Sequence, residues 1–411
     1  MVISVTACSK TTTDIENPGN DPAVTDSATS GDSDDADGNG GNAGDNGDNG
    51  DNGNNGSDDG ENDVQDDNSL ENIKRSTGYV YNTLSADEKA IYDKIYEGFV
   101  NFEQEVDLGA EYPTETVEKV FKHVYFQEPE IFWFHGTRAQ FSSAGSKMSK
   151  VALSYKYDKV KSEAMAGQIY KALDKIEASF PANATDVDKV IAIHDYLITN
   201  TVFSKDDIYA KDAFGPLVGG YSQCEGYAKG FALACNHFGI ENVRITGNKY
   251  DNNSHAWTKV KIDGKWYNVD VTWDDPESST GEQLLRHNYL FVPDSAINDI
   301  THIVICDFVP PVADSTDLDY FKYKGLYATT KDEAVSLLHK HMVEQAKKGE
   351  TVCQVKCANA DVFNEAVNEL IQKGGYQKIS DDVKAANPQF SSFGLMNDDQ
   401  LLILHFNIKY N

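Results

Sequence analysis

Three residues in this chain have the types and spacing for nucleophilic acyl chemistry: Cys224, His255 and Asp270. Cys224 follows a glycine-rich turn, Gly219-Gly220-Tyr221-Ser222-Gln223, and opens a helix that reads from Cys224 to Phe238. Tyr227, Phe231, Ala234, Cys235 and Phe238 recur at helical spacing on one apolar stripe, and Gly239 ends the helix. A thiol in the first turn of a helix meets unpaired backbone N–H groups and the positive end of the dipole. Both favour the thiolate, which is the nucleophile. Taken alone, Cys224 reads equally well as a buried cysteine, as Cys235 on the stripe is expected to be.

His255–Ile262 and Lys265–Trp273 alternate as strands do, and Asp263-Gly264 between them is a strong hairpin signal. With Ile262 opposite Lys265, counting outward puts Trp257 opposite Asp270 and His255 opposite Thr272. All four side chains then share one face, because the period is two. His255 and Asp270 become diagonal neighbours, within reach for a carboxylate to fix the imidazole tautomer. Alone, His255 reads as a strand-end histidine and Asp270 as a partner of Lys259 or Lys261. Together with Cys224 they supply nucleophile, base and orienter for acyl transfer through a thioester.

The elements that must hold these residues follow from the rest of the chain. Order begins near Leu70. Ser85 and Glu88 form a capping box ahead of Ile91, Ile95 and Phe99 at helical spacing. Further helices are expected over Thr114–Phe126 and Lys161–Ser179. Thr185 and Asp188 cap another, whose apolar side is Val190, Ile191, Ile193, Leu197 and Ile198. It carries His194-Asp195. Helical neighbours point about 100° apart, so these two cannot face one substrate together, and a structural role is expected for His194. Val151–Tyr157, Val243–Thr246 and Asn288–Val292 read as strands. His302 and Cys306 are expected to be structural, since a zinc reading lacks the other ligands. From Leu326 helix and strand alternate: helix Lys331–Lys347, strand Thr351–Lys356, helix Ala360–Gln372, strand Leu401–Ile408. No motif there carries chemistry.

The chain has 411 residues, room for two or three domains. Its net charge of −30 argues against nucleic-acid binding and against a basic membrane-surface helix. No apolar run approaches the length of about 18 residues needed to span a membrane. Six cysteines in this length do not make a disulfide scaffold. Cys353 and Cys357 would lie on one strand face, too far apart to bridge, and no structural disulfide is expected. Val5-Thr6-Ala7-Cys8 resembles a bacterial lipobox, so residues 1–8 read as the end of a lipoprotein signal with Cys8 lipidated. Residues 9–69 are Asp, Asn, Gly, Ser and Thr with almost nothing apolar, and read as a disordered acidic tether. The remainder divides into a mostly helical region over 70–180, a core over 181–310 and a small α/β region over 311–411.

Cys224-Glu225-Gly226-Tyr227-Ala228, then His255-Ala256-Trp257, then Asp263 through Pro276 resemble the bacterial transglutaminase-like superfamily. His194-Asp195-Tyr196-Leu197 is similar to the helix that precedes the cysteine there. Glu128 to Trp133 resembles a segment found upstream in extracellular members. The resemblance is specific over Asp186 to Asp307. It implies an α+β, papain-like transglutaminase core, with the cysteine on a helix packed against an antiparallel sheet. It implies that Cys224, His255 and Asp270 match the family triad one for one. It further implies an oxyanion hole made of the cysteine's own N–H and a second, upstream donor. Gln223 and Tyr221 stand near enough to be candidates, and Trp257 is a candidate for cleft support. No metal or organic cofactor is implied. The expectation is an extracellular, lipid-anchored cysteine protease, amidase or transamidase. Its substrates would be proteins or peptides, peptidoglycan stem peptides among them, and its only membrane contact the lipid. The alternative is a catalytically silent binding or adhesion module on the same fold.

Overall fold

The computed structural model describes residues 70, 75–76, 78–134, 140–141, 146–204, 207–249, 253–275, 284–297 and 302–411. The expected signal end with Cys8 and the expected tether over 9–69 lie outside the described residues.

The fold is α+β, and its centre is the helix Cys224–His237. One buried stripe is expected from the sequence, but every residue from Cys224 to Asn236 is buried. The helix is enclosed by the strand Ser254–Ile262, the helix Asp186–Asn200 and the segment 207–219. Two glycines permit that enclosure. A Cβ at Gly226 would sit 2.3 Å from the Ala210 carbonyl oxygen, and one at Gly230 2.6 Å from the Pro216 ring. Enclosure also buries Glu225 and Lys229, one turn apart, as a pair at 2.9 Å. The Tyr125 hydroxyl donates to the same Glu225 oxygen at 2.8 Å. Pairing spares the far larger cost of a lone buried charge. Gly239, in the left-handed region at φ 78°, follows the helix end as expected.

The sheet beside this helix has five antiparallel strands. In spatial order they are Ile303–Val304, Asn242–Asn248, Ser254–Ile262, Lys265–Val269 and Leu290–Val292. The hairpin has the expected register, from Ile262 opposite Lys265 to Thr258 opposite Val269. Asp263 and Gly264 both adopt positive φ, at 49° and 79°, as a two-residue turn of this kind requires. The second strand, however, does not run on to Trp273. It stops at Val269, and the chain turns into the one-turn helix Val271–Asp274. Thr272 is therefore not opposite His255, which pairs with Gly247 on the other neighbour. The cause is Asp270 acting as a helix cap. Its Oδ1 accepts the N–H groups of Thr272 at 3.0 Å and Trp273 at 3.2 Å.

Both capping boxes form, at Ser85 with Glu88 and at Thr185 with Asp188. The helices Ala86–Val100, Thr114–Gln127, Lys159–Ala178 and Asp186–Asn200 lie close to their expected bounds. A small sheet of Glu105–Pro113, Lys147–Ala152 and Gln140–Phe141 accompanies them. The strand expected over Val151–Tyr157 is Lys147–Ala152 instead. Tyr155 lies beyond it, its hydroxyl donating to the carbonyls of Glu103 and Gly98. One hydrophobic core runs without a break from Leu84 to Phe291. A second core belongs to the C-terminal region. There the sheet order is Tyr327–Ala328, Val352–Cys357, Ile403–Tyr410, Phe390–Leu395. The helix Lys331–Lys348 is as expected, whereas the next is α-helical only over Ala360–Val367 and widens to a π-turn at Asn368–Gln372. The helix Tyr376–Ala386 and the strand Phe390–Leu395 are additional to the expected elements. Among the described residues no helix is long and apolar enough to cross a membrane.

Candidate active site

Cys224 stands at the first position of its helix, behind a turn in which Gly220 takes φ 78°. The residue at the helix cap is Gln223, extended, with no side-chain hydrogen bond to the first turn. Its own N–H donates to the Ala210 carbonyl at 2.8 Å, which anchors the turn. Cys224 is buried, yet it lines a cavity of 200 Å³ together with Phe126, Thr246, Ser254, His255 and Ile305. Thiol and imidazole therefore border one space.

His255 comes to that space as the second residue of its strand. Its Nε2 lies 2.5 Å from Asp270 Oδ2. The diagonal contact expected from the hairpin count is thus made, although the chain reaches it through a helix cap rather than a continued strand. Asp270 is 1 % exposed. Burial alone would raise its pKa, but the His255 and His302 imidazoles hold it far below the ordinary carboxylate range. An anionic Asp270 can only accept, so both imidazoles present an Nε2–H to it.

A second imidazole, that of His302, expected from the sequence to be structural, also reaches this carboxylate. His302 Nε2 lies 2.7 Å from Asp270 Oδ2, the same oxygen that His255 uses. Burial lowers its pKa, so the ring is neutral. No local count could find it. Only the sheet order, which sets Ile303–Val304 beside Asn242–Asn248, brings residue 302 back over the hairpin.

The three expected supporting residues are placed differently. Trp257 is 1 % exposed and its indole N–H donates to Asn268 Oδ1 at 2.9 Å, so it is not an oxyanion donor. Its ring lies near-parallel to His255, with centroids 5.9 Å apart, and supports that side chain from behind. Tyr221 is half exposed in a short parallel pair with Val202 and is not among the cavity's lining residues. Gln223 is buried next to the cysteine.

His194 is fully buried, in keeping with the structural role expected of it, and its neighbour is one of its partners. Its Nδ1 lies 3.0 Å from Asp195 Oδ1 and its Nε2 3.2 Å from Asp274 Oδ2. His287 Nε2 reaches the same Asp195 oxygen at 2.9 Å. Two groups among the described residues thus gather three imidazole or carboxylate atoms within 4.8 Å: His255, Asp270 and His302, and His194, Asp195 and His287. The separations are those of proton-sharing partners. Of the six cysteines, the five within the described residues are free thiols.

Among curated proteins none matches this sequence. Several solved structures show a likeness, three among them as follows. One is a transglutaminase, at 20% identity over 33% of this chain and 44% of that one, with a TM-score of 0.25. Another is a protein from Cytophaga hutchinsonii provisionally named a cysteine protease, at 15% identity over 41% and 65%, with a TM-score of 0.25. The third is a protein from Parabacteroides distasonis provisionally named a protease, at 12% identity over 32% and 35%, with a TM-score of 0.21. This chain spans less than two thirds of each, and likeness at these scores bears on neither activity nor partners. The sequence itself is more specific. A family model, that of the transglutaminase-like superfamily, matches residues 175–271, the stretch that carries Cys224, His255 and Asp270. That stretch of the chain is a transglutaminase-like core.

Proposed function

We propose that this protein is a cysteine enzyme that cleaves or exchanges amide bonds through a thioester on Cys224. One observation carries the reading. The thiol at a helix start and the His255 imidazole line one cavity, and the far nitrogen of that imidazole is held by a buried carboxylate. Because Nε2 is held by Asp270, proton exchange with the thiol falls to Nδ1. Cys224 Sγ attacks the amide carbon, and the oxyanion forms at the helix start, where the dipole favours negative charge. The C–N bond then breaks while the imidazolium gives its Nδ1 proton to the leaving amine. Water or a second amine, deprotonated by the now neutral His255, attacks the thioester and frees Cys224. Asp270 stays anionic throughout and keeps the Nε2–H tautomer. The substrates proposed are proteins or peptides, including peptidoglycan stem peptides. The place of action proposed is the cell surface, with a lipid on Cys8 as anchor, motivated by Val5-Thr6-Ala7-Cys8. Palmitate labelling that persists in Cys8→Ala would refute the anchor.

The chemistry is tested by the rate of iodoacetamide labelling against pH, for the parent and for His255→Ala. A thiolate–imidazolium pair gives the parent a labelling plateau well below the ordinary thiol pKa of about 8.5, absent from the variant. Coincident curves at that ordinary value would reject the pair and leave a binding module as the better reading.

A further inference from the structure

We propose that His302 is a positioning residue for this reaction: as the second donor on Asp270 Oδ2, it tempers the carboxylate so that the His255 imidazolium stays acidic enough to protonate the leaving amine. This rests on the reading of Cys224, His255 and Asp270 given above.

The geometry is unusual for a merely structural histidine. Asp270 receives four donors, two on each oxygen. Oδ1 takes the N–H groups of Thr272 and Trp273, and Oδ2 takes His255 at 2.5 Å and His302 at 2.7 Å. The two backbone bonds already fix where the carboxylate lies, so His302 is not needed to place it. What His302 adds is a share of the charge on the one oxygen that faces His255. Its ring is itself fixed by aromatic neighbours: Trp257 edge-on at 4.9 Å, Trp273 at 5.1 Å and Tyr289 at 5.9 Å between centroids. Its N–H on the main chain donates to the Ile297 carbonyl at 3.2 Å. A ring held so tightly presents its Nε2–H in one direction only.

The consequence follows from proton affinities. A carboxylate with one fewer donor concentrates its charge on the remaining one and stabilises the imidazolium more. A more stable imidazolium is a weaker acid, and general-acid cleavage of the C–N bond slows accordingly. Among the described residues the ionisable groups around the pair are His255 and Asp270 themselves, Cys224 and Glu225 on the cavity lining, Tyr289 ahead of the strand Leu290–Val292, and Lys249 just past the strand Asn242–Asn248. Of the two described side chains on Asp270 Oδ2, His255 lines the cavity and His302 does not.

The test uses the full chain and the same labelling-against-pH assay, with His302→Phe and His302→Gln added. Phe keeps a ring for the aromatic box and removes the donor; Gln keeps an N–H. The upper inflection, which reports loss of the imidazolium proton, is expected to rise by about one pH unit in His302→Phe and to return toward the parent in His302→Gln. Turnover of any amide substrate should fall about tenfold in the Phe variant with KM unaltered. A parent with two inflections whose upper one is unmoved, or moves down, in His302→Phe overturns the role of His302 alone. A parent with a single ordinary thiol inflection overturns the thiol–imidazole reading, and this inference with it. Should the Phe variant not fold, 15N NMR of the histidine-labelled parent decides: His302 must be a neutral ring protonated on Nε2, and protonation on Nδ1 overturns the proposal.

Discussion

Four of the five described cysteines sit where burial opposes ionisation. The Cys235 and Cys353 thiols are pushed far up by desolvation, Cys306 is raised, and Cys357 is pushed up to about 11. Cys224 alone combines a helix start with an imidazole across a cavity. Iodoacetamide at neutral pH is expected to label Cys224 first, read by peptide mapping; earlier labelling of the half-buried Cys306 would contradict this. Asp270 separates structure from chemistry at a single position. In Asp270→Asn the amide oxygen can still accept from Thr272 and Trp273 and so keep the helix cap, but the charge facing His255 is gone. The melting curve is expected to change little while turnover falls about a hundredfold or more. A variant as active as the parent would remove Asp270 from the mechanism.

The element that holds Asp270 is the single turn Val271–Asp274, too short to be stable alone. It is pinned from its far end. Asp274 accepts the Tyr289 N–H at 3.0 Å and faces His194 on the helix Asp186–Asn200. Asp275 accepts the Tyr227 hydroxyl from the cysteine helix. So the orienting carboxylate and the nucleophile are braced against the same two helices. Burial alone would lower the His194 pKa, but the hydrogen-bonded carboxylates of Asp195 and Asp274 lift it to about 9. A raised folded pKa gives stability that is full below the unfolded value of about 6.5 and lost as pH rises through the folded one. The stability advantage of the parent over His194→Phe, from urea midpoints, is expected to be largest near pH 6 and to shrink by pH 10. An advantage that grows with pH would contradict a charged His194. How much of this was legible in the sequence follows from range. The Asp263-Gly264 hairpin and both capping boxes depend on residues a few positions apart, and they form as counted. The turn at Asp270 is hidden by the strand-like alternation of Lys265–Trp273, with which an aspartate cap competes. His302 and the buried Glu225–Lys229 pair depend on sheet order and on enclosure by distant segments, which no local period encodes.

At the scale of the molecule, the family match ends where the site does not. Residues 175–271 hold Cys224, His255 and Asp270, but the strand Leu290–Val292 that closes the sheet, and His302, lie beyond them. Upstream, Phe126 lines the cavity, Tyr125 bonds the buried Glu225, and Gln127 exchanges both amide hydrogen bonds with the main chain of Arg244. The core that supports the site is shared from Leu84 to Phe291, and the C-terminal region has its own, the two meeting through a smaller cluster of Tyr289, Val292, Ile297, Phe321, Leu401 and Ile403. Destabilisation should therefore travel according to which core is cut. Phe99 and Leu338 are both fully buried, one in each core. Phe99→Ala is expected to cost about 3–5 kcal/mol and to lower, in one transition, both the melting temperature and the temperature at which Cys224 loses its selective labelling. Leu338→Ala opens a cavity of similar kind costing about 2–5 kcal/mol, yet it should leave Cys224 labelling against temperature as in the parent. A fragment of residues 175–271 alone should show neither a cooperative melt nor selective labelling, because it exposes the faces that Tyr125, Phe132 and Phe291 cover. Loss of Cys224 labelling at the same temperature in Leu338→Ala and Phe99→Ala would mean that the two cores unfold as one and that the C-terminal region is part of the folding unit that supports the thiol.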